Sequence, residues 1–383
     1  MQRTIRLKLT PSPAQADALT ETSRLFTAAF NRFVAIGWDA GVSNATKLHY
    51  LAYYSVRSEL PTLNSNLINT ARAKAAEAIK SAFALQKLER TVSMPTSEAC
   101  PPRYNVHTYK VDWESQTVRM SLVGERRTIR FGVPDYNAAY AGYPVDTADL
   151  LFRHGRWWLH VVVTILAPEI EPTDQVMGVD LGIVRPAVTS NNRFLGKRAW
   201  KAIEGKLFHL KRALQKKGTK SAKRHLKRVR GKQARFRRTN DHILSKQIVA
   251  AADPGATIVL ENLTDIRKRT KIRKKTETRR RVHAWSFAQL KSFIEYKAEG
   301  RGCTVVAVDP RHTSHACSCC GHTARNNRRS RGRFVCRACG FELHADLNAA
   351  RNIAAKYHAS VARRDAGGLH VNQPIVSSPI HSG

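Results

Sequence analysis

Residues 176–183 read VMGVDLGI: an apolar run, then Asp180, then a return to apolar residues. A short apolar run without alternation marks a strand covered on both faces. An acid at its carboxyl end is out of place there unless it has a task, because an unpaired buried carboxylate is costly. The pattern returns at 257–261, TIVLE, where Glu261 ends a second apolar strand. A third acid, Asp346, opens the helical stretch LNAA at 347–350. Taken singly, each has a plainer reading. Asp180 could form a turn, Glu261 could be an exposed or salt-bridged residue, and Asp346 could cap its helix. Taken together they lie at two strand ends and one helix start, the edge where an α/β sheet gathers functional groups. Three carboxylates converging beside a polyphosphate would hold two Mg²⁺ ions, one for the attacking water and one for the leaving oxygen of a phosphodiester.

Around these acids the periodicity predicts an α/β arrangement. Ala187–Ser190 reads as the hairpin mate of Val176–Asp180. Two basic helices follow, with Leu207, Leu210 and Leu214 on the first, Gly218 at the turn, and Leu226, Val229, Ile243, Leu244 and Ile248 on the second. Phe287–Ala298 is predicted helical, Cys303–Val308 a buried strand and Leu347–Val361 a final helix. Upstream, Thr4–Leu9 alternates as a strand. Ser12, Pro13 and Gln15 form a capping box that opens a helix closed near Gly41. Two more helices cover about 47–60 and 67–88. From 103 to 165 the period is two. Strands are expected at Tyr104–Val111, Thr117–Leu122 and Arg127–Phe131, and a hairpin at Leu150–Phe152 and Trp157–Ile165. With Thr4–Leu9 these could close a small barrel holding the helices as an insertion.

Charge sets the class of partner. The 383 residues carry 65 Lys+Arg against 29 Asp+Glu, a formal +36. Residues 193–240 hold 19 basic residues and one acid, Glu204; with 267–281 and 325–333 they supply +32 of that excess. A solvated helix face would be laced with i,i+4 acid–base pairs, and acids are nearly missing here. Phosphate contact explains the runs better. Lys211, Arg212, Lys223, Arg224, Lys227, Arg228, Arg230, Arg235, Arg237 and Arg238 are the expected nucleic-acid contacts. No apolar run is long enough for a membrane span, and the N-terminus lacks a secretory apolar region. The expectation is a cytoplasmic, nucleoid-associated protein with no membrane partner.

Five of the seven cysteines fall between Cys317 and Cys339. Cys317-x-x-Cys320 and Cys336-x-x-Cys339, each followed by glycine, give four thiolates in tetrahedral reach and a closed structural zinc site. Cys319 lies inside the first knuckle and could swap with a neighbour; the CxxC spacing favours Cys317 and Cys320. Cys100 and Cys303 read as ordinary thiols. His312, His315, His322 and His344 surround the region, His344 two residues from Asp346.

The motifs GVDLGI (178–183), VLENL (259–263), HAWSFAQL (283–290), EYKAEGRG (295–302), HTSHACSCCG (312–321) and FVCRACGFELHADLNAARNIAAK (334–356) together resemble the TnpB family. These are transposon-encoded, RNA-guided DNA endonucleases related to type V CRISPR effectors. The match covers about 176–361, and the helix at 12–40 is also similar. The resemblance implies that Asp180, Glu261 and Asp346 match a RuvC acidic triad and that the four cysteines match its zinc knuckles. The implied fold is α+β and multidomain: an N-terminal β-barrel (1–10 and 95–170) with an inserted helical recognition domain (11–94), then an RNase H-like RuvC nuclease domain (171–310 and 341–364) carrying a four-cysteine zinc ribbon (311–340). A disordered tail is expected at 365–383. Many relatives carry an acid where this chain has His344.

The resemblance implies guided, Mg²⁺-dependent cleavage of double-stranded DNA beside a short flanking motif, with one protein per guide RNA. A guided repressor without cleavage is disfavoured by the intact triad. A junction resolvase without RNA is disfavoured by the charge and the N-terminal half, and a DDE transposase by the knuckles before the last acid. A compact type V CRISPR effector stays open.

Overall fold

The computed structural model describes residues 2–166, 169–182, 185–197, 199–264, 286–330 and 332–367. The basic run 267–281 and the tail beyond 367 lie outside them. The chain forms two compact units, 1–166 and 167–383.

In the first unit, β1 (Gln2–Thr10) buries Ile5, Leu7 and Leu9 and turns Arg6 and Lys8 outward, as its alternation requires. α1 (Pro13–Asp39) opens on the predicted capping box: Ser12 Oγ accepts from Gln15 N–H, and Gln15 Oε1 accepts from Ser12 N–H at 2.9 Å. α2 (Ala45–Glu59) and α3 (Ser65–Gln86) complete the helical layer. Then come β2 (Arg103–Tyr104), β3 (Tyr109–Asp112), β4 (Thr117–Ser121), β5 (Arg126–Gly132), β6 (Val145–Arg153) and β7 (Arg156–Thr164).

The predicted single strand Tyr104–Val111 is broken in two. Asn105 Oδ1 accepts from His107 N–H and Thr108 Oγ1 from Asn105 N–H, so local side-chain bonds outcompete the ladder. This turn shapes the sheet. Its order is β2-β6-β7-β1-β5-β4-β3, so the two ends of a seven-stranded sheet are joined by residues 105–108 alone. The sheet must curl to bring them together, and Tyr104 and Tyr109 meet edge-on at 6.4 Å. The β6–β7 hairpin turns at His154 and Gly155, both at positive φ, the backbone of a tight two-residue turn.

The second unit holds β8 (Val176–Leu181), β9 (Ala187–Thr189), β10 (Phe194–Leu195), α4 (Ala199–Lys217), α5 (Lys220–Ala251), β11 (Thr257–Glu261), α6 (Phe287–Glu299), β12 (Thr304–Val308), β13 (Arg333–Val335), β14 (Glu342–His344) and α7 (Ala345–Gly367). The sheet order is β10-β9-β8-β11-β12, with β8, β11 and β12 parallel and β9 antiparallel to β8. β12 is an edge strand and only half-buried, not the buried strand its apolar sequence predicts. α7 extends to Gly367, past the expected start of the tail at 365.

Gly178 lets α7 lie directly on β8. A Cβ there would stand 2.1 Å from the Ala350 carbonyl oxygen. Leu210 and Ile243, read as apolar stripe positions, are about two-fifths exposed at 39% and 42%. The α4–α5 hairpin has a thin core of Leu207, Leu214, Ala222, Leu226 and Val229. No described helix is long and apolar enough to cross a membrane.

Candidate functional site

The parallel register of β8 and β11 pairs Val179 with Leu260, and the next step sets Asp180 beside Glu261 on the same face. Asp346 enters from the first turn of α7, the helix that Gly178 admits against β8. The three sequence-predicted acids therefore share one end of the sheet. Burial pushes the Asp180 carboxyl up to about 8, and the like charges of Glu261 and then Asp346 add to the rise. Burial also raises Glu261, against the pull of Thr313 and Lys356. The site is short of positive charge, and its donors are all carboxylate oxygens. That donor set suits a hard cation such as Mg²⁺ or Mn²⁺.

One cation of the chain is already there. Arg328 Nη2 donates to Asp346 Oδ1 at 2.9 Å, and its charge reaches Asp180. Sequence reasoning placed Arg328 in the 325–333 run as a phosphate contact. Nothing in that run distinguishes it from Arg325 or Arg329; only the fold aims it at the acids. Arg333, in the same run, is paired with Glu342 at 2.6 Å across β13 and β14. His344 Nδ1 accepts from the Asp346 backbone N–H at 3.2 Å, while its ring meets Phe194 edge-on.

The four cysteines converge, all Sγ atoms lying within 4.8 Å of one another; among the described residues they alone form such a group. Cys317 and Cys339 Sγ are 3.8 Å apart, and Cys320 and Cys336 Sγ 3.6 Å. A disulfide needs about 2.05 Å. Four thiolates around one zinc at about 2.3 Å stand about 3.8 Å apart, so the residues fit that ion. The knuckles are built alike. Gly321 N–H donates to Cys317 O and Gly340 N–H to Cys336 O, and both glycines take positive φ, at 76° and 72°. The backbone N–H of Cys339 draws the Cys336 thiol down to about 6, while Cys317, Cys320 and Cys339, bonded with it in the same cluster, are held above the ordinary thiol value. Cys319 is exposed and outside the cluster; Cys100 and Cys303 are buried thiols.

The basic hairpin is sorted by the fold. Arg212, Lys223, Arg224, Lys227, Arg228, Arg230, Arg235 and Arg238 are exposed. The other two of the ten expected contacts, Lys211 and Arg237, are half-buried and tie the hairpin together. Arg237 makes a two-pronged pair with Glu204 at 2.6 and 2.8 Å, and Lys211 donates to Gln233, which donates in turn to Glu204.

The chain is similar to known proteins in sequence and in fold. The family profile of the Cas12f1-like TNB domain matches residues 287–353. The CRISPR-associated endodeoxyribonuclease Cas12f1 of Sulfoacidibacillus thermotolerans is 27% identical over 81% of this chain and 81% of its own length. The putative RNA-guided DNA endonuclease InsQ of Escherichia coli is 30% identical over 54% of this chain, which spans 56% of that protein. A TnpB-like protein of Methanocaldococcus jannaschii is 31% identical over 30% of this chain and 41% of its own length. In fold, the chain is similar to the protein of a Cas12f1–sgRNA–target DNA complex, at a TM-score of 0.61 and 17% identity, covering 89% of this chain and 82% of that one. In sequence the chain is thus similar to Cas12f1, InsQ and a TnpB-like protein, and in fold to Cas12f1.

Proposed function

We propose that this protein is an RNA-guided, Mg²⁺-dependent DNA endonuclease, and that Asp180, Glu261 and Asp346 are its catalytic acids. The observation that carries the reading is the meeting of these acids at one sheet end, buried enough to raise Asp180 and short of cations. The unit beyond 166 is read as an RNase H-like RuvC domain with 311–340 as its zinc ribbon. The curled sheet is read as a wedge-like barrel, with 11–94 as the recognition insertion.

In this reading Asp180 and Glu261, side by side on β8 and β11, offer oxygens from one face, and Asp346 closes the site from α7. Two Mg²⁺ ions bound there would supply an activated water and stabilise the leaving oxygen. Arg328 holds Asp346 and places a guanidinium at the site, where it would meet a phosphate oxygen of the strand. The exposed face of the α4–α5 hairpin carries the backbone of the guide or its heteroduplex by charge, independent of sequence. Zn²⁺ in the four-cysteine cluster has no open position and so organises structure.

The test is to purify the protein with its co-expressed locus, sequence the bound RNA, and follow guided plasmid cleavage. Wild type should cut in Mg²⁺. Asp180→Asn, Glu261→Gln and Asp346→Asn should each slow cutting by on the order of 100-fold or more, with RNA binding intact. Tight target binding without cutting by wild type would favour a guided repressor instead. A repeat-derived guide, in keeping with the 81% overlap with Cas12f1, would mark a compact type V effector.

A further inference from the structure

Three side chains on one face of α7, Asn348, Asn352 and Lys356, recur at i, i+4 and i+8. A helix face buried in a core is ordinarily apolar there. Asn348 and Asn352 are nonetheless 0% and 8% exposed. All three grip the backbone of 309–318, the segment leading from β12 into the first cysteine knuckle. Asn348 Nδ2 donates to Ala316 O at 2.8 Å and its Oδ1 accepts from Ser318 N–H at 3.0 Å. Asn352 Nδ2 donates to Thr313 O at 2.9 Å and to Ala316 O at 2.7 Å. Lys356 Nζ donates to Asp309 O at 2.9 Å and also to Arg311 O. Every contact is to main chain, so the ladder fixes the path of the segment regardless of most of its side chains.

One side chain of the segment points to the acids. Thr313 is 2% exposed, and its hydroxyl lies 2.6 Å from Glu261 Oε1 and 3.0 Å from Pro310 O. With one proton to give, it donates more strongly to the carboxylate, the nearer and charged acceptor. The helix whose first turn carries Asp346 thus also holds, through Asn352 and the Thr313 backbone, the hydroxyl that orients Glu261.

We infer that Thr313 is a positioning residue for Glu261 and that the Asn348–Asn352–Lys356 ladder locks Glu261 and Asp346 into one rigid frame, setting the cluster's affinity for its divalent cation. This rests on the reading of Glu261 and Asp346 as cation ligands. A carboxylate free to rotate must be ordered as the cation binds. Losing such a supporting hydrogen bond costs about 10–100-fold in metal affinity.

The experiment compares wild type, Thr313→Val, Thr313→Ser and Glu261→Gln as RNA complexes. It measures Mn²⁺ binding by electron paramagnetic resonance and the Mg²⁺ dependence of guided cleavage. Thr313→Val keeps the shape and removes the donor. It should weaken Mn²⁺ binding and raise the half-maximal Mg²⁺ concentration by about 10-fold or more, with smaller loss of rate at saturating Mg²⁺. Thr313→Ser should restore both, and zinc content and RNA retention should match wild type in all. A Thr313→Val protein with wild-type Mn²⁺ binding and Mg²⁺ dependence, beside an inactive Glu261→Gln, overturns the positioning role alone. A Glu261→Gln protein that binds Mn²⁺ and cuts as wild type overturns the underlying site assignment. Equal loss in Thr313→Val and Thr313→Ser would show that the position matters for packing and not for its hydroxyl, which also overturns the inference.

Discussion

Asp180 bears a sharp conflict, a carboxylate at the end of a buried strand that faces two others. A residue kept for stability would not be acidic there, since burial and like charge both oppose its ionised form. This yields a signature that separates function from folding. In metal-free protein at neutral pH, Asp180→Asn removes a carboxyl that is ionised in the unfolded chain and must take up a proton to be buried beside the other acids, and it should raise the melting temperature, by roughly 2–4 °C for each kcal/mol relieved. The same variant should lose cleavage. Thermal denaturation in chelator, set beside the plasmid assay, checks both; a variant that is inactive because it has become less stable would contradict the catalytic reading. Arg328 is the counterpart of this conflict. Its pair with Asp346 is partly exposed, at 28% for Arg328 and 18% for Asp346, so the guanidinium can exchange partners when a phosphate arrives.

At the scale of elements, the α4–α5 hairpin shows why a basic run is not one object. Its exposed arginines and lysines are spaced by the same helical period that buries Leu226 and Val229, so one sequence pattern builds both the apolar seam and the charged face. Arg237 escapes that division because Glu204, the lone acid of 193–240, captures it. Replacing Arg224, Lys227, Arg228 and Arg235 with glutamine should weaken RNA retention about equally for unrelated sequences. It should also flatten the salt dependence of binding, by about 0.7–0.9 in slope for each phosphate that is no longer neutralised. Arg237→Gln should instead lower helix stability and leave the slope near wild type. Filter binding across a salt series and circular dichroism distinguish the two; an unchanged slope in the four-fold variant would mean that this face meets solvent.

At the scale of the whole molecule, the chain has a separate apolar core in each unit, one around Phe26, Phe33, Tyr104 and Leu159, the other around Val179, Ile258 and Ile294. Two cores give two cooperative units, and a single unfolding free energy does not describe them. Calorimetry should show two transitions. A zinc chelator or Cys336→Ser should lower only the transition of 167–383, because a structural metal contributes folding energy to the unit that holds it. One mole of zinc per chain by elemental analysis is expected; its absence, or a chelator effect on both transitions alike, would remove the zinc assignment. Most of the helices and longer strands, the capping box and the two knuckles were legible in the sequence, since each is written in local periodicity, spacing or turn chemistry. Where a strand lies in its sheet was not. β12 has the apolar sequence of a central strand and stands at the edge, and residues 104–111 have the period of one strand and fold as two. The partners of equivalent charges were also beyond it. Arg328, Arg333 and Arg237 look alike in sequence, and only tertiary packing set one on Asp346, one on Glu342 and one on Glu204. Local sequence determines which backbone shape is cheapest, but an ion pair or a hydroxyl on a carboxylate depends on segments that meet only after the chain has folded.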